Sequence, residues 1–203
     1  MTVRAFQRFA AIAAALSLLL AGCASLAPPA TPSAPTTRIF QQTIDLGGRL
    51  SMRYQAGDKE ESLHGNFTWT QTPSDTTVTL LSPLGQTLAI ITATPDGATL
   101  AQGGQQLRSA SDVDTLTANT LGWPLPVAGL REWLQGFAID RSGQPFVASP
   151  QADKVETRDG WLIHYPVWTK DDATHPRRID LARNTAQAGD VSIRIVIDTW
   201  QAH

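Results

Sequence analysis

The feature that most limits what this chain folds into is a period-two alternation of apolar and polar residues, broken at intervals by turn residues. Leu50, Met52 and Tyr54 interleave with Arg49, Ser51 and Arg53, and Leu63, Phe67 and Trp69 with His64, Asn66, Thr68 and Thr70. Trp161, Ile163, Tyr165 and Val167 share one phase, as do Val191, Ile193, Ile195 and Ile197. Alternation of this kind describes strands with one buried face. Gly57-Asp58, Pro73-Ser74-Asp75, Pro95-Asp96-Gly97, Gly103-Gly104 and Arg158-Asp159-Gly160 punctuate the runs. Many strands at short spacing with such turns imply a mainly β fold: an antiparallel sheet that curls strongly or approaches a barrel.

The middle of the chain changes period. Ser111-Asp112-Val113-Asp114 has the pattern of a capping box, with Ser111 as the cap and an acid three residues on. Val113, Leu116 and Leu121 then fall on one side of a helix. Beyond Gly122-Trp123-Pro124-Leu125-Pro126, the residues Val127, Leu130, Trp133 and Leu134 form a second helical stripe, and Gly136 stops it. Thr37 to Ile44 is expected to add a short N-terminal helix with Ile39, Phe40 and Ile44 on its apolar side.

The first residues are of another kind. Arg4 and Arg8 precede an apolar run, Phe9 to Ala21 with only Ser17 interrupting, that ends in Leu20-Ala21-Gly22-Cys23. The run is too short to span a bilayer and suits the core of a secretory signal. The last four residues resemble a bacterial lipobox, in which the cysteine is acylated and becomes the new N-terminus. An ordinary signal that happens to hold a cysteine is the alternative. Residues 1–22 are thus expected to be a signal peptide. Residues 23–37, rich in Pro, Ala, Ser and Thr, should form the acylated cysteine and an extended tether. Residues 38–203 should form one domain. Cys23 is the only cysteine, so its acylation leaves no thiol for disulfides or metal.

Residue patterns that carry chemistry are few. His64, His164, His175 and His203 are scattered, with no metal-binding spacing, and no nucleophile elbow or phosphate loop is present. Gly47-Gly48 and Gly103-Gly104 are better explained by bends, and Asp171-Asp172 by a solvated loop. The formal net charge of −2 and the absence of a basic cluster argue against nucleic acid. No catalytic residue, metal or cofactor is expected. Six tryptophans, mostly on apolar phases, fit either a solid core or the wall of a hollow, and the residues alone leave both open. Ser82-Pro83-Leu84-Gly85 suits a type I turn with Leu84 at its tip.

Three segments carry a likeness to a known family: Gly65-Asn66-Phe67-Thr68-Trp69-Thr70-Gln71, Leu81-Ser82-Pro83-Leu84-Gly85-Gln86, and Gly122-Trp123-Pro124-Leu125-Pro126-Val127-Ala128-Gly129-Leu130-Arg131-Glu132-Trp133-Leu134-Gln135-Gly136. With them the chain resembles the LolB family, outer-membrane lipoprotein receptors of the lipoprotein-localisation pathway, over nearly the whole mature length. The resemblance implies an incomplete antiparallel barrel with a lid of short helices over a hydrophobic cavity. It implies a monomer, anchored by lipid in the outer membrane of a Gram-negative bacterium and facing the periplasm. Its partners would be the periplasmic carrier LolA, acylated lipoprotein cargo and outer-membrane lipid. Cargo received from LolA would be placed in the inner leaflet of the outer membrane, with Pro83, Leu84 and Gly85 as the membrane-inserting loop. Ala24 after the cysteine, in place of Asp, agrees with outer-membrane sorting.

The acyl-chain cavity is then expected to be lined by Phe67 and Trp69, by Leu80, Leu88 and Ile90, by Trp123, Leu130, Trp133 and Leu134, and by Ile163, Tyr165, Ile193 and Ile195. Two other classes remain as alternatives. One is a lipid-anchored structural or assembly factor of the outer membrane with a solid core, and the other is a hydrolase on the same scaffold.

Overall fold

The computed structural model describes residues 38–56, 58–121, 125–170, 175–186 and 188–203. Six strands come first: β1 (Ile44–Ala56), β2 (Lys59–Gln71), β3 (Thr76–Leu81), β4 (Thr87–Thr94), β5 (Gly97–Gln102) and β6 (Arg108–Ala110). Two helices follow, α1 (Val113–Leu121) and α2 (Val127–Trp133). The chain ends with β7 (Phe137–Ile139), β8 (Pro145–Val147), β9 (Lys154–Glu156), β10 (Leu162–Trp168), β11 (Pro176–Thr185) and β12 (Gly189–Ala202).

Ten strands form one sheet in the order β6-β5-β4-β3-β2-β1-β12-β11-β10-β9, every neighbouring pair antiparallel. β6 and β9 do not pair with each other, so the sheet curls without closing; β7 and β8 make a separate hairpin. This is an incomplete barrel with two short helices laid over it.

The expected phases hold along most strands. Met52, Phe67, Trp69, Val191, Ile193, Ile195 and Ile197 are all buried. The sheet bends where the pairing slips. Between Gly47 and Gly48 the register on β12 jumps from Thr199 to Ile197, leaving Asp198 without a partner opposite. A Cβ on Gly48 would strike the carbonyl oxygen of Val196, so only glycine lets the two backbones meet there. The bulged Asp198 turns outward and accepts both guanidinium bonds of Arg49, at 2.9 and 3.0 Å.

Three local expectations are corrected. Residues 38–43 form no helix: Gln41 bonds through its N–H (2.8 Å) to Gln135 Oε1, and its carbonyl accepts from Gln135 Nε2 (3.0 Å) and Gln71 Nε2 (3.3 Å). Thr37 lies outside the described residues. The α1 cap is Asp112, one residue after Ser111: Asp112 Oδ1 accepts the Thr115 N–H at 2.7 Å, and Ser111 Oγ merely donates to the other oxygen at 3.0 Å. Val167 leaves the phase of Ile163 and Tyr165 and is exposed, because the β10–β11 register shifts between His164 and Val167. Asp171 and Asp172 lie outside the described residues.

The α2 stripe forms as read. Val127, Leu130, Trp133 and Leu134 are buried, and each such burial is worth roughly 1.5–3 kcal/mol. A seven-residue helix would be marginal alone, so this packing is what holds it. The Gly136 N–H bonds to the Trp133 carbonyl at 3.0 Å, and its positive φ of 80° ends the helix.

Candidate functional site: an apolar hollow under the helices

Between the concave face of the sheet and the two helices lies a cavity of ≈ 170 Å³. Its strand wall comprises Leu50 and Met52 of β1, Leu63, Phe67 and Trp69 of β2, Val78 and Leu80 of β3, Leu88, Ala89 and Ile91 of β4, Leu100 and Gln102 of β5, and Ile193 and Ile195 of β12. The helical roof adds Leu116, Thr117 and Thr120 of α1, then Leu125, Val127, Leu130 and Leu134.

Only Gln102, Thr117 and Thr120 are polar, and both threonines use their hydroxyls locally. Thr117 Oγ1 accepts the Leu125 N–H at 2.9 Å and donates to the Asp114 carbonyl at 3.1 Å; Thr120 Oγ1 donates to the Leu116 carbonyl at 2.9 Å. A contained molecule therefore meets hydrocarbon and little else. The volume exceeds that of an engineered apolar cavity of ~150 Å³ that stays dry and admits benzene.

The roof is fastened at one end. Arg131 of α2 donates to the carbonyls of Thr72 (2.8 Å) and Asp75 (3.1 Å) and to the Thr76 hydroxyl, all at the β2–β3 turn. Gln135 is fully buried and clasps both backbone groups of Gln41, while Trp69 Nε1 donates to Gln71 Oε1 at 3.3 Å beneath it. Burial pushes the Arg131 guanidinium below its ordinary value, against the pull of the Asp75 charge. Asp114 on the first turn of α1 accepts from the Ala128 N–H of α2. Burial pushes its carboxyl up, and the nearby Asp112 and Asp159 charges add to that.

Of the residues expected to line an acyl site, Phe67, Trp69, Leu80, Leu88, Leu130, Leu134, Ile193 and Ile195 come together on this cavity. Ile90 does not. The β3–β4 register shifts so that Leu81 faces Thr87 and Leu80 faces Ala89, leaving Leu88 as the extra residue. Leu88 and Ala89 then both reach the hollow, and Ile90 turns to the outer face, 38% exposed.

Trp133 is buried behind the roof against Trp161, ring centroids 6.1 Å apart, and does not line the cavity. Ile163 and Tyr165 are buried on β10, also away from it. Tyr165 packs against Trp168, and burial pushes its hydroxyl well above the ordinary phenol range. That hydroxyl and Trp168 Nε1 have no hydrogen-bond partner among the described residues. Trp123 and Cys23 lie outside the described residues. Met52, Val78, Ile91 and Leu116 line the cavity without having been expected there: Val78 shares the phase of Leu80, whereas Ile91 is brought in by the register shift.

The hairpin at Pro83-Leu84-Gly85 is built as the sequence suggests. Gly85 N–H bonds to the Ser82 carbonyl at 2.9 Å, Ser82 N–H to the Gln86 carbonyl at 2.8 Å, and Gly85 takes φ 85°, where a side chain would be strained. Leu84 at the tip is 90% exposed. Among the described residues, no group of three or more His, Cys, Asp or Glu is placed to hold a metal.

A sequence profile described as outer membrane lipoprotein LolB matches residues 42–200. The outer-membrane lipoprotein LolB of Cupriavidus necator is 39% identical over 193 residues, 95% of this chain and 96% of its own. Its namesake in Thiobacillus denitrificans is 37% identical over 205 residues, 97% and 99% of the two chains. A solved LolA superfamily protein from Nitrosomonas europaea superposes with a TM-score of 0.46 at 11% identity, over 82% of this chain and 88% of that one. The profile and the full-length relatives agree: the chain belongs to the outer membrane lipoprotein LolB family, lipid-anchored proteins of the Gram-negative outer membrane with a role in lipoprotein localisation.

Proposed function

We propose that this protein receives acylated lipoproteins from the periplasmic carrier LolA, holds their hydrocarbon in the hollow beneath α1 and α2, and passes them into the inner leaflet of the outer membrane. The observation that carries this reading is the cavity itself, a wall of aliphatic and aromatic side chains whose hydroxyls are already bonded. Each buried methylene is worth ~0.8 kcal/mol, so one acyl chain in water is unfavourable by on the order of ten kcal/mol before ordering costs. Transfer runs downhill if the hollow is a better solvent than the carrier and a poorer one than the bilayer. The hollow takes part of a chain, and fuller entry follows when the roof lifts.

In this reading Cys23 carries the anchor, residues 23–37 are the tether, and Leu84 enters the bilayer surface during delivery. No catalytic residue or cofactor takes part. A lipid-anchored assembly factor is the rival, and the cavity disfavours its solid core.

The test uses an anchorless form of the chain with a fluorescent hydrophobic probe. Stoichiometric binding, with displacement by acylated lipoprotein, is expected; absence of displacement overturns the reading. Leu84→Glu should leave receipt intact and lower transfer into liposomes. Equal loss of both would make Leu84 a receipt or packing residue.

A further inference from the structure

A second exposed leucine stands on the same rim as Leu84. β3 ends at Leu81 and β4 begins at Thr87, while β5 ends at Gln102 and β6 begins at Arg108, so antiparallel order puts turns 82–86 and 103–107 at one end of the sheet. The β4–β5 turn at Pro95-Asp96 lies at the other end. Two strand spacings, about 10 Å, separate the two hairpins. Leu107 in the second turn is 66% exposed, and none of its neighbours covers it. Gln105 N–H closes this turn on the Gln102 carbonyl at 3.1 Å.

The segment that forms this rim is nearly free of charge. From Thr76 to Leu107 the only ionised side chain is Asp96, at the far end, in a chain that is 17% charged. The β1–β2 turn, which the same antiparallel order puts at this end, carries Asp58, Lys59, Glu60 and Glu61, so the uncharged stretch is confined to the β3–β6 side of the rim. Uncharged tips bearing bare leucines suit a lipid surface better than water. Arg108, directly after Leu107 and exposed, is placed to meet headgroup phosphate.

The cavity reaches this same rim. Leu88, just past the first turn, lines the hollow and is 41% exposed, and Gln102, just before the second, lines it too. Leu88 and Gln102 thus bring the lining of the hollow to the side of the two tips.

We propose that Leu107 is a second point of bilayer contact acting with Leu84, and that acyl chains leave the cavity between these two hairpins, over Leu88. This rests on the delivery role proposed above. With both tips dipped, the gap opens onto the membrane, and a departing chain need not cross water.

The experiment uses the full anchored chain in phosphatidylethanolamine/phosphatidylglycerol vesicles. With Cys23 taken up by the anchor, Leu107→Cys gives a single thiol for an environment-sensitive fluorophore; Leu84→Cys and, at the far end of the sheet, Asp96→Cys give matched probes. A lipid-borne nitroxide should quench positions 84 and 107 alike and leave 96 unaffected. Quenching at 84 but not 107 overturns this proposal and leaves the functional reading standing. Quenching at neither removes membrane contact from both. In transfer assays, Leu107→Glu should lower delivery into vesicles roughly ten-fold with receipt unchanged, while Leu107→Phe delivers normally. Equal loss of receipt and delivery by a folded Leu107→Glu protein would make this tip a protein-docking point and overturn the proposal.

Discussion

Leu88 is one residue too many in its strand, and that surplus decides which side chains of β4 see the interior. Reading alternation forward from Leu88 puts Ile90 inside; the pairing shift puts Ala89 and Ile91 there instead. A bulge of this kind is set by two strands together and leaves no mark in either alone, whereas Phe67, Trp69, Ile193 and Ile195 sit in uninterrupted alternation and were legible at once. Ile90→Thr should therefore change stability by no more than about 0.5 kcal/mol, while Ile91→Ala should cost about 2 kcal/mol or more in urea unfolding. Asp114 supplies a second check at this scale. Its carboxyl is pushed up by burial, so the folded state binds a proton more readily than the unfolded chain does. Stability from this group is gained as pH falls through the raised value and is forfeited above it. Asp114→Asn should raise Tm at pH 7, and the advantage over the native chain should fade as pH drops toward the ordinary carboxylate range.

Among the elements, α2 shows how far local pattern carries. Its apolar stripe and Gly136 stop are readable because both follow from helical spacing. The fastening is not, because Arg131 and Gln135 find partners 55–97 positions away. Residues 38–43 show the converse. Ile39, Phe40 and Ile44 have the spacing of a helix, but the Gln41 backbone is claimed by Gln135 and Gln71, and Ile44 by the sheet. The cap is a local choice instead: Ser111 and Asp112 both suit the position, and Asp112 takes it by bonding three residues ahead. Gln135→Leu would leave the Gln41 N–H without its partner, a loss of about 1–3 kcal/mol. Denaturant unfolding should record that loss, and hydrogen exchange should show residues 38–43 and α2 opening together.

For the molecule as a whole, the sequence specified a curled antiparallel sheet with helices over it, and could not say whether its centre was filled. Solid and hollow cores draw on the same alternation; they differ only in how far the roof stands from the sheet. The hollow predicts a thermodynamic signature. A hydrocarbon ligand that binds the folded chain alone should stabilise it by about 2.7 kcal/mol at a hundred times its Kd. Scanning calorimetry should record a rise in Tm, and Ala89→Phe, which fills the space, should abolish that rise.

The satisfied hydroxyls of Thr117 and Thr120 have one more consequence. A wall whose two hydroxyls are spent on the backbone and whose other polar group is Gln102 has little means of telling one passenger from another, since attraction to bare hydrocarbon is without direction. Whatever polypeptide trails behind the fatty tail goes unread, so a single such protein can serve many clients. With so few hooks, it also has little with which to keep them.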